Sequence, residues 1–221
     1  MNQNTIIENT KLFVQKTLQD AEGGHDWFHI ERVYNNAMHI AKTEKVDLFI
    51  IALGSLLHDI ADAKFYDGDE NIGPKKARLF LESQFVSETA IQHVENIIRY
   101  ISFKGEIGLK KSEKKFTSKE LDVIQDADRL DAIGAIGIAR TFNYGGFKNR
   151  VIYDPAVKPN PQQSKEAYKK STAPTINHFY EKLLLLKDRM NTNTGKRLAQ
   201  ERHQFMELFL KQFYEEWEGL K

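Results

Sequence analysis

An almost wholly apolar run, Phe49 to Leu57, ends in the adjacent pair His58-Asp59, and it restricts the fold more than any other feature of the chain. A helix that is apolar on nearly every side belongs at the centre of an all-helical domain. Such a helix then delivers an imidazole and a carboxylate at its buried end. Both groups are costly to place in a core unless something pairs with them. A divalent metal ion does so, because histidine nitrogen and aspartate oxygen are good ligands for first-row metals. The plain alternative is a helix C-terminus from which His58 and Asp59 emerge into water. The dipeptide alone does not decide between them.

The rest of the chain has the same helical character. Ile6, Ile7, Leu12, Phe13, Val14 and Leu18 space a helix over residues 4–18, ending before Gly23-Gly24. Asp26 is the expected N-cap of a second helix running through Ile40 to about Glu44. The central helix is expected over residues 46–60, followed by a polar loop to Gly73. Pro74 opens a helix to Phe85, and Ser87 caps another that runs to Ile101. After a basic loop, Ser118 caps a single helix expected from Lys119 to about Thr141. Residues 143–163 carry Gly145-Gly146, Pro155, Pro159 and Pro161 and form the one long irregular region, expected to lie near the active site as a lid. Two long helical patterns close the chain, from Lys165 or Thr175 to Met190 and from Thr194 to Glu218. No period-two strand pattern or internal repeat is visible. The expected class is all-α.

Composition mainly excludes. There is no cysteine, which removes disulfides, zinc–thiolate sites and thiol catalysis. A net charge of +1 gives no whole-protein argument for nucleic acid or a membrane surface. Lys110-Lys111 and Lys114-Lys115 form one short basic run, diluted by Glu106 and Glu113, so no nucleic-acid partner is expected. The N-terminus lacks a basic segment followed by an apolar one, and no stretch is long enough to span a bilayer. A cytoplasmic protein, monomeric or homodimeric and without a membrane partner, is the default expectation.

Two further polar residues stand on helical patterns. His29 shares its helix face with Arg32 and Val33, although a lone helical histidine is ordinarily a surface or satisfied core residue. Along Leu121, Ile124, Asp128, Ala132 and Ala135 the spacing is three, four, four and three, a buried helical face that Asp128 interrupts. A carboxylate there requires a partner, either a salt bridge to Arg32 or Arg129 or a metal. Taken together, His29, His58, Asp59 and Asp128 make a mixed nitrogen and oxygen donor set. With no soft ligand it suits Mn, Fe, Mg, Co or Ni better than structural zinc.

The order His29 … His58-Asp59 … Asp128 resembles the H…HD…D signature of the HD-domain metal-dependent phosphohydrolases. The flanking strings agree: His29-Ile30-Glu31-Arg32-Val33, Leu56-Leu57-His58-Asp59-Ile60 and Asp126-Ala127-Asp128-Arg129-Leu130-Asp131. The tail His178-Phe179-Tyr180-Glu181-Lys182-Leu183-Leu184 … Met190-Asn191-Thr192 … Arg202 resembles a branch of small stand-alone bacterial HD proteins that includes manganese-dependent nucleotide pyrophosphohydrolases. The core match covers about residues 25–140. The resemblance implies one HD-type domain over 1–221, a compact multi-helix bundle with a long irregular loop and a C-terminal helical extension over about 165–219. Two assignments need care. His25-Asp26 is a second His-Asp pair, but it sits at a Gly-rich helix start, so the doublet is assigned to 58 and 59. The family's Asp-(Arg/Lys)-Leu context selects Asp128 over Asp126 and Asp131, and leaves Asp131 to orient a ligand or an arginine. Only His93 lies between the doublet and Asp128, with no extra histidine pair, which favours one tightly held metal.

What the resemblance implies chemically is a divalent cation, manganese first and Fe, Ni, Co or Mg as alternatives, with a second Mg accompanying the nucleotide left open. Its expected reaction is hydrolysis of a (deoxy)nucleoside triphosphate to monophosphate and pyrophosphate. The alternatives are a cyclic-nucleotide phosphodiesterase or nucleoside monophosphate phosphatase, and a catalytically silent nucleotide-binding sensor. Asp62, one turn past the doublet, is expected to orient or deprotonate the attacking water; the alternative is a solvated helix-end carboxylate. Phosphate needs cations. Arg32 and Lys64 are expected beside the reacting phosphate, and Lys182, His178, Arg129 and Lys148 around the substrate.

Overall fold

The computed structural model describes residues 2–19, 26–61, 69, 71–101, 116–162 and 171–221. Among them there is no strand, and the protein is all-α. Its helices are α1 (Gln3–Thr17), α2 (Trp27–Ala41), α3 (Leu48–Leu57), α4 (Ile72–Ser83), α5 (Glu88–Tyr100), α6 (Lys119–Asp131), α7 (Gly134–Phe147), α8 (Asn177–Glu181) and α9 (Asn193–Trp217), with a 3₁₀ helix at Leu183–Arg189. The chain divides into two compact units, residues 1–128 and 129–221. No helix among the described residues is long and apolar enough to cross a membrane.

In the first unit α3 is the core. Residues 50–58 are all buried, so the run that looked apolar on every side is enclosed on every side. Asp47 starts α3 by accepting from Phe49 N and Ile50 N, and a helix so short fits its place because its ends are fixed by caps and packing rather than by length. Asp26 caps α2 as expected, accepting from His29 N at 2.9 Å. Ser87 is the N-cap of α5, but no side-chain cap bond forms there. Phe13 of α1 stacks on Phe80 of α4 with centroids 4.2 Å apart.

The single helix expected from Lys119 to Thr141 is two helices. Ala132 N and Ile133 N close back onto the carbonyls of Arg129 and Leu130, Ile133 turns extended, and Gly134 takes φ +76°. Only a residue without a Cβ enters that left-handed region cheaply, so Gly134 is where the break falls. The apolar spacing simply continues through it, which hides it from a periodicity argument. One consequence is that Ala135 is exposed, and the supposed buried stripe ends near Asp128.

The second unit holds the last turn of α6 and everything after it. Residues 143–147 of the expected irregular region belong to α7. The helix expected up to Met190 is instead the short α8 and the 3₁₀ turn, parted at Lys182, whose backbone leaves helical values. Phe142, Phe179 and Phe209 pack ring against ring, and Tyr153 packs edge-on to Phe213, Tyr214 and Trp217 of α9.

Candidate metal centre

Three helices of the first unit bring four of the expected residues to one place. The N-cap bond from Asp26 fixes His29 in the first turn of α2, with its side chain buried. His58 is the residue that ends α3, and Asp59 follows it in the turn. Asp128 comes from α6, which Asn36 ties to α2 through the carbonyl of Ala127. The donor atoms of His29, His58 and Asp59 all lie within 4.8 Å of one another. Asp128 Oδ1 lies 3.6 Å from His29 Nε2 and 3.9 Å from His58 Nε2. The two imidazoles meet at 65° with centroids 5.4 Å apart.

These separations decide against direct pairing. Nitrogen and oxygen at 3.6 and 3.9 Å are beyond hydrogen-bond reach. Metal–ligand bonds of about 2.1 Å put neighbouring donors roughly 3 to 4 Å apart, so the spacing suits a shared cation. Protonation fits too. His58 Nδ1 is 2.8 Å from the carbonyl of Ser55, an acceptor only, so Nδ1 carries the proton and donates it. The lone pair of the neutral ring is thereby left on Nε2, the nitrogen that faces His29 and Asp128. The donor set accommodates a divalent ion.

Asp128 is not the buried carboxylate that its helical spacing implied. Its side chain is 41 % exposed, while the fully buried carboxylates of α6 are its neighbours Asp126 and Asp131. Asp131 holds an arginine, as expected of it: Arg140 Nη1 donates to its Oδ2 at 2.5 Å and to its carbonyl at 3.2 Å. Arg32 is half-buried one turn along α2 from His29. Asp62 and Lys64 lie outside the described residues, as do Lys110-Lys111 and Lys114-Lys115 of the basic loop. His93, the extra histidine, points elsewhere: Nε2 is 3.0 Å from Ser118 Oγ and 3.5 Å from Glu120 Oε2.

The four residues expected around the substrate all fall in the second unit. Arg129 donates to the carbonyl of Arg189, and Lys148 lies 4.7 Å from the Phe147 ring and 5.6 Å from that of Tyr144. Lys182 is exposed at the end of α8. His178 is half-buried, and loss of hydration pushes its pKa down to about 3, helped by the charges of Lys182 and Arg150. Its ring is therefore neutral at physiological pH. Sequence spacing did not reveal the parts played by Gly54, Ser55 and Arg150. The only signal at Gly54 was an unexplained glycine inside an otherwise apolar helix.

An all-α bundle that gathers two buried imidazoles and two carboxylates from three helices defines a class, the HD-type metal-dependent hydrolases. The chain belongs to the HD-domain family, whose model matches residues 27–133 and so spans all four donors. YpgQ of Bacillus subtilis is 37 % identical over 215 residues, 96 % of this chain and 94 % of that protein. The crystal structure of an HD-superfamily hydrolase from Bacillus thuringiensis matches with a TM-score of 0.78 and 42 % identity, over 98 % of this chain and 99 % of that one. The crystal structure of YpgQ in complex with ADP matches with a TM-score of 0.76 and 33 % identity, over 98 % of this chain and 97 % of that one.

Proposed function

We propose that this hydrolase cleaves a (deoxy)nucleoside triphosphate to the monophosphate and pyrophosphate, at one divalent cation held by His29, His58, Asp59 and Asp128. The observation that carries the reading is the approach of Asp128 to both imidazoles at separations too long for hydrogen bonds. A nucleotide as substrate is supported by the ADP bound to YpgQ. A cation so held, manganese first, supplies Lewis acidity toward a phosphate oxygen and lowers the pKa of water.

The chain's own residues have separate tasks. Ser55 and Asp26 fix the two histidines in place, one through its ring and the other through its backbone. The half-exposed Asp128 marks the side from which a substrate reaches the donors. Arg32 balances phosphate charge next to His29, and by family resemblance Asp62 orients the water while Lys64 meets the phosphate. Lys182, His178 and Lys148 bind the substrate, and Arg129 assists at most in part, since its guanidinium already serves the Arg189 carbonyl. The reaction is taken to be cytoplasmic, as for the small stand-alone HD proteins that the chain resembles.

Malachite-green detection with Mn and a nucleoside triphosphate tests the reading. Orthophosphate is expected only when a pyrophosphatase is added. Orthophosphate from a monophosphate, with or without the coupling enzyme, would replace the proposal with a phosphatase. Absence of turnover across a nucleotide panel would leave a binding protein.

A further inference from the structure

Within the second unit, residues 150–160 form a strap hydrogen-bonded along 171–181. Arg150 Nη2 donates to Ser171 O at 2.6 Å, and Thr175 N and Ile176 N donate to the carbonyls of Val151 and Ile152 at 2.9 and 3.0 Å. Asn177 Nδ2 donates to Val157 O at 3.0 Å, and Asn160 N to Glu181 Oε1 at 3.0 Å. Midway along, the half-buried Tyr153 meets the Trp217 ring at the end of α9, with centroids 5.0 Å apart. The strap and the last turn of α9 therefore make one continuous surface.

A backbone held at so many points does not expose its side chains for want of order. Yet Val151, Ile152 and Val157 are 58, 54 and 40 % exposed, and on the α9 side Trp217 and Leu220 are 49 and 75 % exposed. Apolar area left in water is unfavourable in proportion to its extent, and a contiguous patch of it marks a surface that a partner covers. Valine and isoleucine are stiff at χ1, so docking on them forfeits little side-chain freedom.

Charge selects the partner. The strap carries Arg150 and Lys158, and its one carboxylate, Asp154, is engaged by Ala156 N at 2.9 Å. Trp217 lies between Glu216 and Glu218, both exposed, while Glu215 is paired with Lys221 at 2.6 Å. A positive half and a negative half thus flank an apolar middle. A two-fold axis through the Tyr153–Trp217 contact lays each half of one copy against the opposite half of another, the self-complementarity that an isologous interface demands. A partner of one sign, such as an anionic lipid surface, would be repelled by the half of its own sign.

We propose that this face is a dimer interface, in which the strap of one copy docks on the α9 end of a second copy and Arg150 and Lys158 meet Glu216 and Glu218. The donors of the candidate metal centre all lie in the first unit, so the interface stands or falls apart from the proposed reaction.

The test is sedimentation equilibrium of the full chain over a range of protein concentrations, at low and at high salt. The native chain is expected at twice its 25.6 kDa, dissociating more readily at high salt. Ile152→Asp, at an exposed side chain whose backbone bond is kept, is expected to raise the dimer dissociation constant by about tenfold or more. Lys158→Glu and Glu218→Lys are each expected to weaken the dimer, and the two in one chain to restore much of it, since the exchanged charges still meet. A native chain that stays monomeric throughout overturns the proposal, as does a dimer that Ile152→Asp and the single reversals all leave unmoved. Reversals whose effects simply add, with no recovery in the double variant, overturn the pairing on which the docking rests. Should thermal melting show that Ile152→Asp does not fold, the charge reversals decide alone, recovery upholding and its absence overturning. Flotation of a monomeric chain with phosphatidylglycerol vesicles, abolished by Ile152→Asp, would give the face to a lipid surface and overturn the dimer.

Discussion

Gly54 of α3 faces Ile124 of α6 so closely that a Cβ at position 54 would stand 2.7 Å from Ile124 Cδ1 and 3.2 Å from Ile97 Cδ1. One helical turn further along the two helices are His58 and Asp128. The missing side chain therefore sets the spacing at which an imidazole from one helix meets a carboxylate from the other. Gly54→Ala gains about 1 kcal/mol of helix propensity but overpacks a closed core at a cost of roughly 1 to 3 kcal/mol. We expect a net loss near 1 kcal/mol in urea unfolding and weaker Mn binding by calorimetry. Higher stability with unchanged Mn affinity would show that the close approach does not position the donors.

Asp59 offers the carboxylate nearest His58 in the chain and is half-buried in the turn after α3. Removing it deletes one donor from the cluster without touching the α3 core. Asp59→Ala is expected to lose Mn binding and turnover while its far-ultraviolet circular dichroism and melting behaviour remain native. Undiminished activity in this variant would discard the metal assignment altogether.

Asp131 is almost fully buried and paired with Arg140, with Arg202 contributing a second nearby positive charge. Breaking a buried ion pair from one side leaves the other charge uncompensated, at about 3 to 5 kcal/mol. Arg140 retains some solvent contact, which moderates the penalty. Asp131→Asn keeps the shape and removes the charge, so a loss of about 3 kcal/mol is expected from urea midpoints. A loss close to zero would mean the pair only repays its own desolvation.

Much of the site was legible because its chemistry is local. A buried apolar helix ending in His58-Asp59 announces itself, and Asp26 as the N-cap of α2 follows from the residue type. Asp128 was found by its flanking residues, yet the argument from its buried stripe fails, since the side chain is half-exposed and the helix breaks three residues later. That break depends on the φ of Gly134, where a Cβ would also stand 2.9 Å from Arg202 Cγ, and helical spacing encodes neither constraint. The α8 and 3₁₀ segment was misread for a related reason. Leu183 to Leu186 satisfies a helical pattern, but the backbone leaves helical values at Lys182 and resumes as a 3₁₀ turn, a break that apolar spacing does not encode. Arg150 was missed because its hydrogen-bond partner, the carbonyl of Ser171, is distant in sequence.

His178 gives the fold a pH dependence whose sign can be worked out. In the folded protein burial, with Lys182 and Arg150, holds its pKa near 3, against 6.5 for an ordinary histidine. Between those values the unfolded chain binds a proton that the folded chain does not, so stability rises with pH across the window and is lost as pH falls below 6.5. The limiting slope is about 1.4 kcal/mol per pH unit for one proton, and a half-buried ring delivers only part of it. His178→Gln removes the titrating group. Urea unfolding at neutral pH and again near the acid end should show the variant losing less stability than the native chain. Parallel losses in the two proteins would mean that other groups, chiefly carboxylates, account for the acid sensitivity and that His178 is hydrated enough to titrate normally.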